Sequence, residues 1–199
     1  MTICYVLENS LYINLTNQCT NACTFCVRDK DCGIGDVNLW LETEPTVQEM
    51  IEDVDRFCPD NYKEVVFCGY GEPTMRLPEL LTVAKHIKEH YHVPIRINTN
   101  GQANLMYPSD PVPPKLGGLI DAVSISLNAK NKEEYQALCQ SIFGEESFDA
   151  LIQFAKECTK YVPDVVMSVV DVLPPEDIEA CRKIAEDAGV RLRVRALIE

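Results

Sequence analysis

The stretch Leu11-Tyr12-Ile13-Asn14-Leu15-Thr16-Asn17-Gln18-Cys19-Thr20-Asn21-Ala22-Cys23-Thr24-Phe25-Cys26 joins a strand-like run to a loop carrying three cysteines. The run 11–15 is apolar and β-prone. The cysteines follow it as Cys-x3-Cys-x2-Cys. Three thiolates within eight residues can hold three irons of a cubic iron–sulfur cluster. The fourth iron then has no protein ligand and is open to a substrate or cofactor. That pattern points to chemistry rather than to electron storage.

Outward from this stretch, strand-like and helix-like segments alternate. Strands are expected near 10–16, 64–68, 94–98, 121–127, 164–171 and 190–196. Val65-Val66-Phe67-Cys68, Val123-Ser124-Ile125-Ser126-Leu127 and Val165-Val166-Met167-Ser168-Val169-Val170 are β-branched runs between turn signals. Helices are expected near 46–57, 78–91, 132–139, 147–160 and 176–188. Thr46 with Glu49 three residues on forms a capping box. Leu80, Leu81, Ala84 and Ile87 share one helical face, as do Ile178, Cys181, Ile184, Ala185 and Ala188. Gly189 then closes its helix as a C-terminal cap. The stretch from Gln102 to Gly118, with Pro108, Pro111, Pro113 and Pro114, reads as an inserted loop. Strands separated by helices predict an α/β fold with a parallel sheet. A closed eight-stranded βα barrel takes about 250 residues. Six units in 199 residues predict a partial, open (β/α)6 barrel of the TIM type, one domain over 1–199.

Composition narrows the function classes. The net charge is −13, which disfavours binding of nucleic acid, since that rests on Lys and Arg neutralising phosphates. No run reaches the roughly 18 apolar residues that a bilayer span needs. The start Met1-Thr2-Ile3-Cys4-Tyr5-Val6-Leu7-Glu8 lacks a basic region followed by an apolar core, so a cytoplasmic location is expected. Ten cysteines without a secretion signal indicate thiols in a reducing compartment rather than a disulfide framework.

In parallel βα folds, ligands bind at the carboxyl ends of strands. The unusual residues gather there: the cysteine loop, Gly69-Tyr70-Gly71-Glu72-Pro73-Thr74, Asn98-Thr99-Asn100-Gly101, Ser124, Ser126 and Asn128, then Asp171, Pro174 and Pro175. Gly69 and Gly71 allow backbone oxygens to approach a ligand amino group closely. Asn98, Ser126 and Asn128 are short polar partners suited to ribose hydroxyls, or plain turn and capping residues. Phe25 either lies against a ligand ring or packs in the core.

Several readings stay open at this level. A structural zinc site would need a fourth ligand, with Cys32 the nearest. Cys23 and Cys26 alone make a Cys-x2-Cys redox pair, which leaves Cys19 idle. Cys32, Cys58, Cys68, Cys139, Cys158 and Cys181 are assigned mostly to the core, with a redox or substrate role open for Cys32. Arg191, Arg193 and Arg195 alternate and so share one face of the last strand. Facing inward, Arg195 lies nearest the mouth and suits a carboxylate; facing outward, the three form a solvated edge stripe. Arg28 and Arg96 are further cations. His86-Ile87-Lys88-Glu89-His90 matches the His-x-x-Glu-His pattern of some zinc peptidases. It sits on a helix that ends far from the mouth, and a solvated face is expected.

Cys19-x3-Cys23-x-Phe25-Cys26, followed by Gly71-Glu72-Pro73 at the end of the second strand, resembles the radical S-adenosylmethionine (radical SAM) superfamily. The resemblance spans essentially the whole chain. It implies that Cys19, Cys23 and Cys26 hold a [4Fe-4S] cluster whose open iron takes the methionine part of S-adenosylmethionine (SAM). It implies reductive cleavage of SAM to a 5′-deoxyadenosyl radical, which abstracts hydrogen from substrate. Gly71, Glu72 and Pro73, with Gly69, would present backbone oxygens to the cofactor amino group. Phe25 would lie near adenine, Asn98, Ser126 and Asn128 near ribose, and Arg195 would hold a carboxylate of cofactor or substrate. The run Tyr12–Asn17 and the short chain resemble the small family associated with TatD-type nucleases. The implied partners are an unidentified substrate (a small molecule such as a nucleobase precursor, or a protein) and an external electron donor of flavodoxin or ferredoxin type. A functional link to a TatD-type nuclease and a homo-oligomer are further expectations, as is oxygen sensitivity. The reading outside this class is a non-catalytic iron–sulfur module that transfers electrons or senses.

Overall fold

The computed structural model describes residues 1–29 and 37–196. Cys32, weighed above as a fourth metal ligand, lies outside the described residues. The chain runs β1 (Cys4–Leu7), β2 (Ser10–Ile13), α1 (Val47–Phe57), β3 (Glu64–Phe67), α2 (Leu77–His90) and β4 (Ile95–Thr99). It continues through α3 (Ala103–Met106), α4 (Pro113–Leu116), β5 (Ala122–Ser126), α5 (Lys132–Cys139), α6 (Glu146–Cys158), β6 (Asp164–Val170), α7 (Pro175–Asp187) and β7 (Arg191–Arg195). The stretch expected as an inserted loop thus holds two short helices, α3 and α4. Pro113 opens α4, where its missing N–H costs nothing.

One sheet contains the seven strands in sequence order. β2 to β7 are parallel, and β1 pairs antiparallel with β2. The sheet is not closed: β1 and β7 are its edges. β1 was not among the expected strands. It returns through the two residues Glu8-Asn9, with Glu8 in the left-handed region at φ 52°. No glycine marks that turn, so the usual hairpin signal is missing.

Alternation along the strands sorts the side chains. One face carries Leu11, Ile13, Val65, Phe67, Ile95, Ile97, Val123, Ile125, Val165, Met167 and Val169, all buried in one core with the helices. Parallel sheets in α/β folds are covered this way. The register places Tyr12, Val66, Arg96 and Asn98 on the other face, level with Ser124, Ser126, Ser168, Arg193 and Arg195. This second face is polar, and its upper end meets the cysteine loop.

Local signals behave as the sequence predicts. Thr46 accepts from Glu49 N, and Glu49 reaches back to the Thr46 N–H, so α1 starts with a complete capping box. Gly189, at φ 77°, closes α7 with Gly189 N–H donating to Glu186 O and Val190 N–H to Ala185 O. Among the described residues no helix is long and apolar enough to cross a membrane.

Candidate functional site

The cysteine loop leaves the carboxyl end of β2 and is held from two sides. Glu72 N–H donates to Gln18 O at 2.8 Å, which ties the loop to the turn after β3. Ala22 N–H donates to Cys139 O at 3.0 Å and Thr24 N–H to Leu138 O at 2.9 Å, which ties it to the end of α5. Ile142 N–H donates to Thr20 O at 2.9 Å, so the segment after α5 is pinned to the same loop.

Gly71 makes the first of these contacts possible. A Cβ there would lie 2.4 Å from Thr16 O and 2.5 Å from Gln18 O. Both atoms are backbone and cannot swing aside. Gly71→Ala is therefore expected to push the turn off the cysteine loop, costing about 1–3 kcal/mol of stability as overpacking does. Denaturant titration with an iron assay on the same samples checks this; native stability and full iron retention would contradict it. Gly69 is similarly crowded: a Cβ there would meet Asn14 Oδ1 at 2.0 Å. Asn14 is itself fixed, its Nδ2 donating to Leu39 O at 2.7 Å.

The Glu72 side chain turns inward and is 3 % exposed. Its Oε1 accepts from Thr74 N–H at 3.0 Å, Thr74 Oγ1 at 2.6 Å and Thr99 Oγ1 at 2.7 Å. Its Oε2 accepts from Asn100 N–H at 2.7 Å. Burial pushes this carboxyl above its usual range, while the four donors pull against that shift. Glu72 thus clamps the turn after β3 to the turn after β4. Pro73 opens the short 3-10 helix Pro73–Arg76 behind it.

A second buried network supports the loop from α5. Tyr135 is fully buried. Its hydroxyl accepts from Asn21 Nδ2 at 3.2 Å and from Gln102 Nε2 at 3.0 Å. Gln102 Nε2 also donates to Asn21 Oδ1 at 2.8 Å, and Ser141 Oγ donates to Gln102 Oε1 at 3.0 Å. Asn100 Nδ2 donates to Thr20 Oγ1 at 2.7 Å. Every one of these side chains lies within the loop or within reach of it.

Cys19, Cys23 and Cys26 are all half-buried. Cys19 Sγ accepts from Asn21 N–H at 3.4 Å. Burial, with the nearby Glu72 carboxylate adding to it, pushes the Cys19 thiol up to about 12. Cys23 shares a hydrogen bond with Cys139, which together with burial raises Cys23. The same bond lowers Cys139. Without a cation Cys19 and Cys23 keep their protons, and metal binding would release them. Among the described residues no three His, Cys, Asp or Glu side chains stand gathered as a metal site. The donor set nevertheless fits iron: three thiols on one loop, anchored on both flanks, with an amide N–H already aimed at one sulfur.

Cys139 is the site residue that the sequence reading missed. It sits on the apolar side of α5, which reads as core, yet its sulfur adjoins Cys23 and accepts from Asn128 Nδ2 at 3.6 Å. Only the docking of α5 on the loop brings the two thiols together.

The other candidates are distributed as follows. Phe25 is half-buried against the main core. Asn98 is engaged, its Oδ1 accepting from Arg96 Nη1 at 2.6 Å. Asn128 follows β5 in the left-handed region at φ 57° and is buried, and its Oδ1 has no hydrogen-bond partner. A buried acceptor without a donor, at the mouth, fits a polar ligand. Ser126 lies half-buried one strand-step before it. Arg28 reaches back to Asn21 O at 3.5 Å, near the thiols of Cys19 and Cys23. Arg195 lies on the polar face, at the end of β7. Arg96 is neutralised by Glu64, at 2.9 Å from both Nε and Nη2. His86 and His90 stack on an exposed helix face, with His86 paired to Asp55 at 2.8 Å, far from the loop in the fold. A groove of about 620 Å³ lies at the opposite end of the sheet, along Val162, Asp164, Arg191 and Leu192. It is at the amino ends of β6 and β7 and shares no residue with the cysteine mouth.

Three comparisons place this architecture. Structures of matching fold include a radical SAM methyltransferase from Sphaerobacter thermophilus, at 16% identity and TM-score 0.64, covering 97% of this chain and 57% of that one. Streptococcus suis SuiB bound to S-adenosylmethionine matches at 18% identity and TM-score 0.62, covering 94% and 38%. Native anSMEcpe with bound AdoMet matches at 16% identity and TM-score 0.63, covering 94% and 51%. The chain therefore spans roughly half the length of these structures, and at such identities the likeness shows the fold. No curated protein sequence matches the chain. The family model for the radical SAM superfamily matches residues 13–188. Strand order, cysteine loop and family match agree: this chain belongs to the radical SAM superfamily.

Proposed function

We propose that Cys19, Cys23 and Cys26 hold three irons of a [4Fe-4S] cluster, that SAM binds the fourth, and that residues 1–199 act as one radical SAM core on an unidentified substrate. The observation that carries this reading is the anchoring of the cysteine loop against the Gly71-Glu72-Pro73 turn, through Glu72 N–H to Gln18 O at 2.8 Å with no room for a Cβ at Gly71. Such a cluster, when bound, supplies one-electron reductive cleavage of SAM to a 5′-deoxyadenosyl radical that takes hydrogen from substrate. The protein does the rest. Glu72 holds the turns after β3 and β4 together, so that backbone oxygens near Gly71 would be fixed in place for the cofactor amino group. Asn128 Oδ1 would accept a hydrogen bond from a ribose hydroxyl, with Ser126 beside it. Asn21, Gln102 and Tyr135 hold the loop through a buried hydrogen-bond network.

Within the superfamily we assign the chain to the small TatD-nuclease-associated group, supported by the run Tyr12–Asn17 leading into the cysteines. A flavodoxin- or ferredoxin-type donor supplies the electron, in a reducing cytoplasm, and exposure to oxygen destroys the activity. A second reading draws on Cys139: a fourth thiol next to Cys23 would close the cluster and make an electron-transfer module. Anaerobic reconstitution followed by reductant and SAM separates the two. The enzyme reading expects 5′-deoxyadenosine that depends on both additions. A loaded, reducible cluster that forms none rejects it.

A further inference from the structure

The polar face of the sheet carries a cation that its surroundings leave unanswered. Arg195 ends β7, and its Nε is buried with no hydrogen-bond partner among the described residues. Arg193 lies two residues before it on the same face, level with Ser168 of β6. The other arginines of this face are neutralised. Arg96 has Glu64, and Arg191 at the amino end has both oxygens of Asp164, at 2.8 and 3.1 Å. No such ion pair serves Arg193 or Arg195 among the described residues. Arg195 is also close enough to Arg96, Arg193 and Cys68 to sense their charges. Burial and the two like charges lower its hold on its proton. Cys68 follows β3 and Arg96 lies on β4, so the Arg195 side chain stands within electrostatic reach of both.

In a chain of net charge −13, Arg195 and the exposed Arg193, neither in an ion pair among the described residues, form a local exception on the face that leads to the cysteine loop. A desolvated guanidinium donor without a partner is rare in folded proteins and marks a place where a ligand supplies the acceptor. The planar fork of Arg matches a carboxylate or phosphate with two parallel bonds. Ser124 and Ser168 are buried on the same face, Ser168 Oγ donating to Ile125 O at 3.5 Å. We propose that Arg195, aided by Arg193, anchors an anionic group of the substrate, which is therefore a small molecule carrying a carboxylate or phosphate. Held at the end of β7, such a molecule extends along the polar face toward the cysteine loop. This rests on the radical SAM reading above for its chemistry and on the geometry of β7 for its anion.

The test uses the full chain, cluster-loaded under anaerobic conditions, and reads binding rather than turnover. Succinate, inorganic phosphate and SAM are titrated separately by calorimetry into wild type, Arg195→Gln and Arg195→Lys. The expected result is saturable binding of at least one anion probe to wild type, weakened at least tenfold in Arg195→Gln and less in Arg195→Lys. Preference for succinate or for phosphate then names the group. The proposal is overturned if wild type binds neither probe, or if Arg195→Gln binds them as wild type does. It is also overturned if Arg195→Gln loses SAM affinity while keeping the probes, since the arginine then serves the cofactor carboxylate. Should Arg195→Gln not fold, Arg195→Lys carries the test: unchanged probe affinity there, together with unchanged affinity in Arg193→Gln, overturns it. The 5′-deoxyadenosine assay on wild type is independent of every one of these outcomes.

Discussion

Alanine at Cys23 is expected to remove the cluster, whereas alanine at Cys139, whose sulfur adjoins that of Cys23, is expected to leave the cluster in place. The two thiols share a hydrogen bond, so proximity alone cannot tell ligand from neighbour. Their settings differ. Cys23 is half-buried on a loop with Cys19 and Cys26. Cys139 is fully buried, ends a helix, and has its sulfur capped by Asn128 and its carbonyl by Ala22 N–H. A ligand must meet the metal; a partner of a ligand need only orient it. Wild type and Cys139→Ala should therefore reconstitute to about four irons per chain, while Cys23→Ala loses the cuboidal cluster and its visible absorbance. Cys139→Ala should still form 5′-deoxyadenosine, slowed by about 10–100-fold at most, the usual cost of losing a partner of a metal ligand. A colourless Cys139→Ala protein would make that thiol the fourth ligand and support the electron-transfer reading. A fully coloured Cys23→Ala protein would refute the assignment of Cys23.

The second large effect is expected at Glu72, and it is structural before it is functional. Alanine there orphans two buried backbone N–H groups, those of Thr74 and Asn100, and two threonine hydroxyls. Each buried donor left unpaired costs about 1–3 kcal/mol. Glu72→Ala should thus lose on the order of 3–5 kcal/mol, a large part of the ~5–15 kcal/mol that keeps a domain folded. Glutamine keeps the shape but turns an NH2 group onto donors, and should lose about 1–3 kcal/mol. Denaturant midpoints give the stabilities, and a SAM titration on the glutamine variant gives the other half. If the carboxylate itself held the cofactor amino group, Glu72→Gln would lose SAM affinity with its stability intact. The clamp predicts the opposite order: stability falls first, and SAM affinity follows only as the turn loosens.

These two residues also show where sequence reading succeeds and where it stops. The βα order, the strand positions and the capping box at Thr46 are local signals, and each is found where its residues predict. The cysteine loop is legible because its three thiols are close in sequence. Glu72 reads correctly as part of a strand-end turn, but the inward direction of its carboxylate depends on donors from β4, 27 and 28 residues away. Tyr135 and Asn21 meet across 114 residues, and no periodicity announces that pair. Cys139 shares the spacing of a core residue, and only the packing of α5 on the loop gives it a second role. Arg96 and Arg195 occupy one face and read alike, yet Glu64 neutralises the first and nothing described neutralises the second. β1 escapes because its hairpin turn is Glu8-Asn9 without glycine.

The proposed function requires that the cluster held by Cys19, Cys23 and Cys26 keep one iron open for SAM. Electron paramagnetic resonance of the reduced, fully loaded protein, recorded with and without SAM, tests it most directly. Coordination of SAM to the open iron predicts that the signal changes shape and position when SAM is added to wild type. A fully loaded cluster whose spectrum is identical with saturating SAM and without it would contradict the claim.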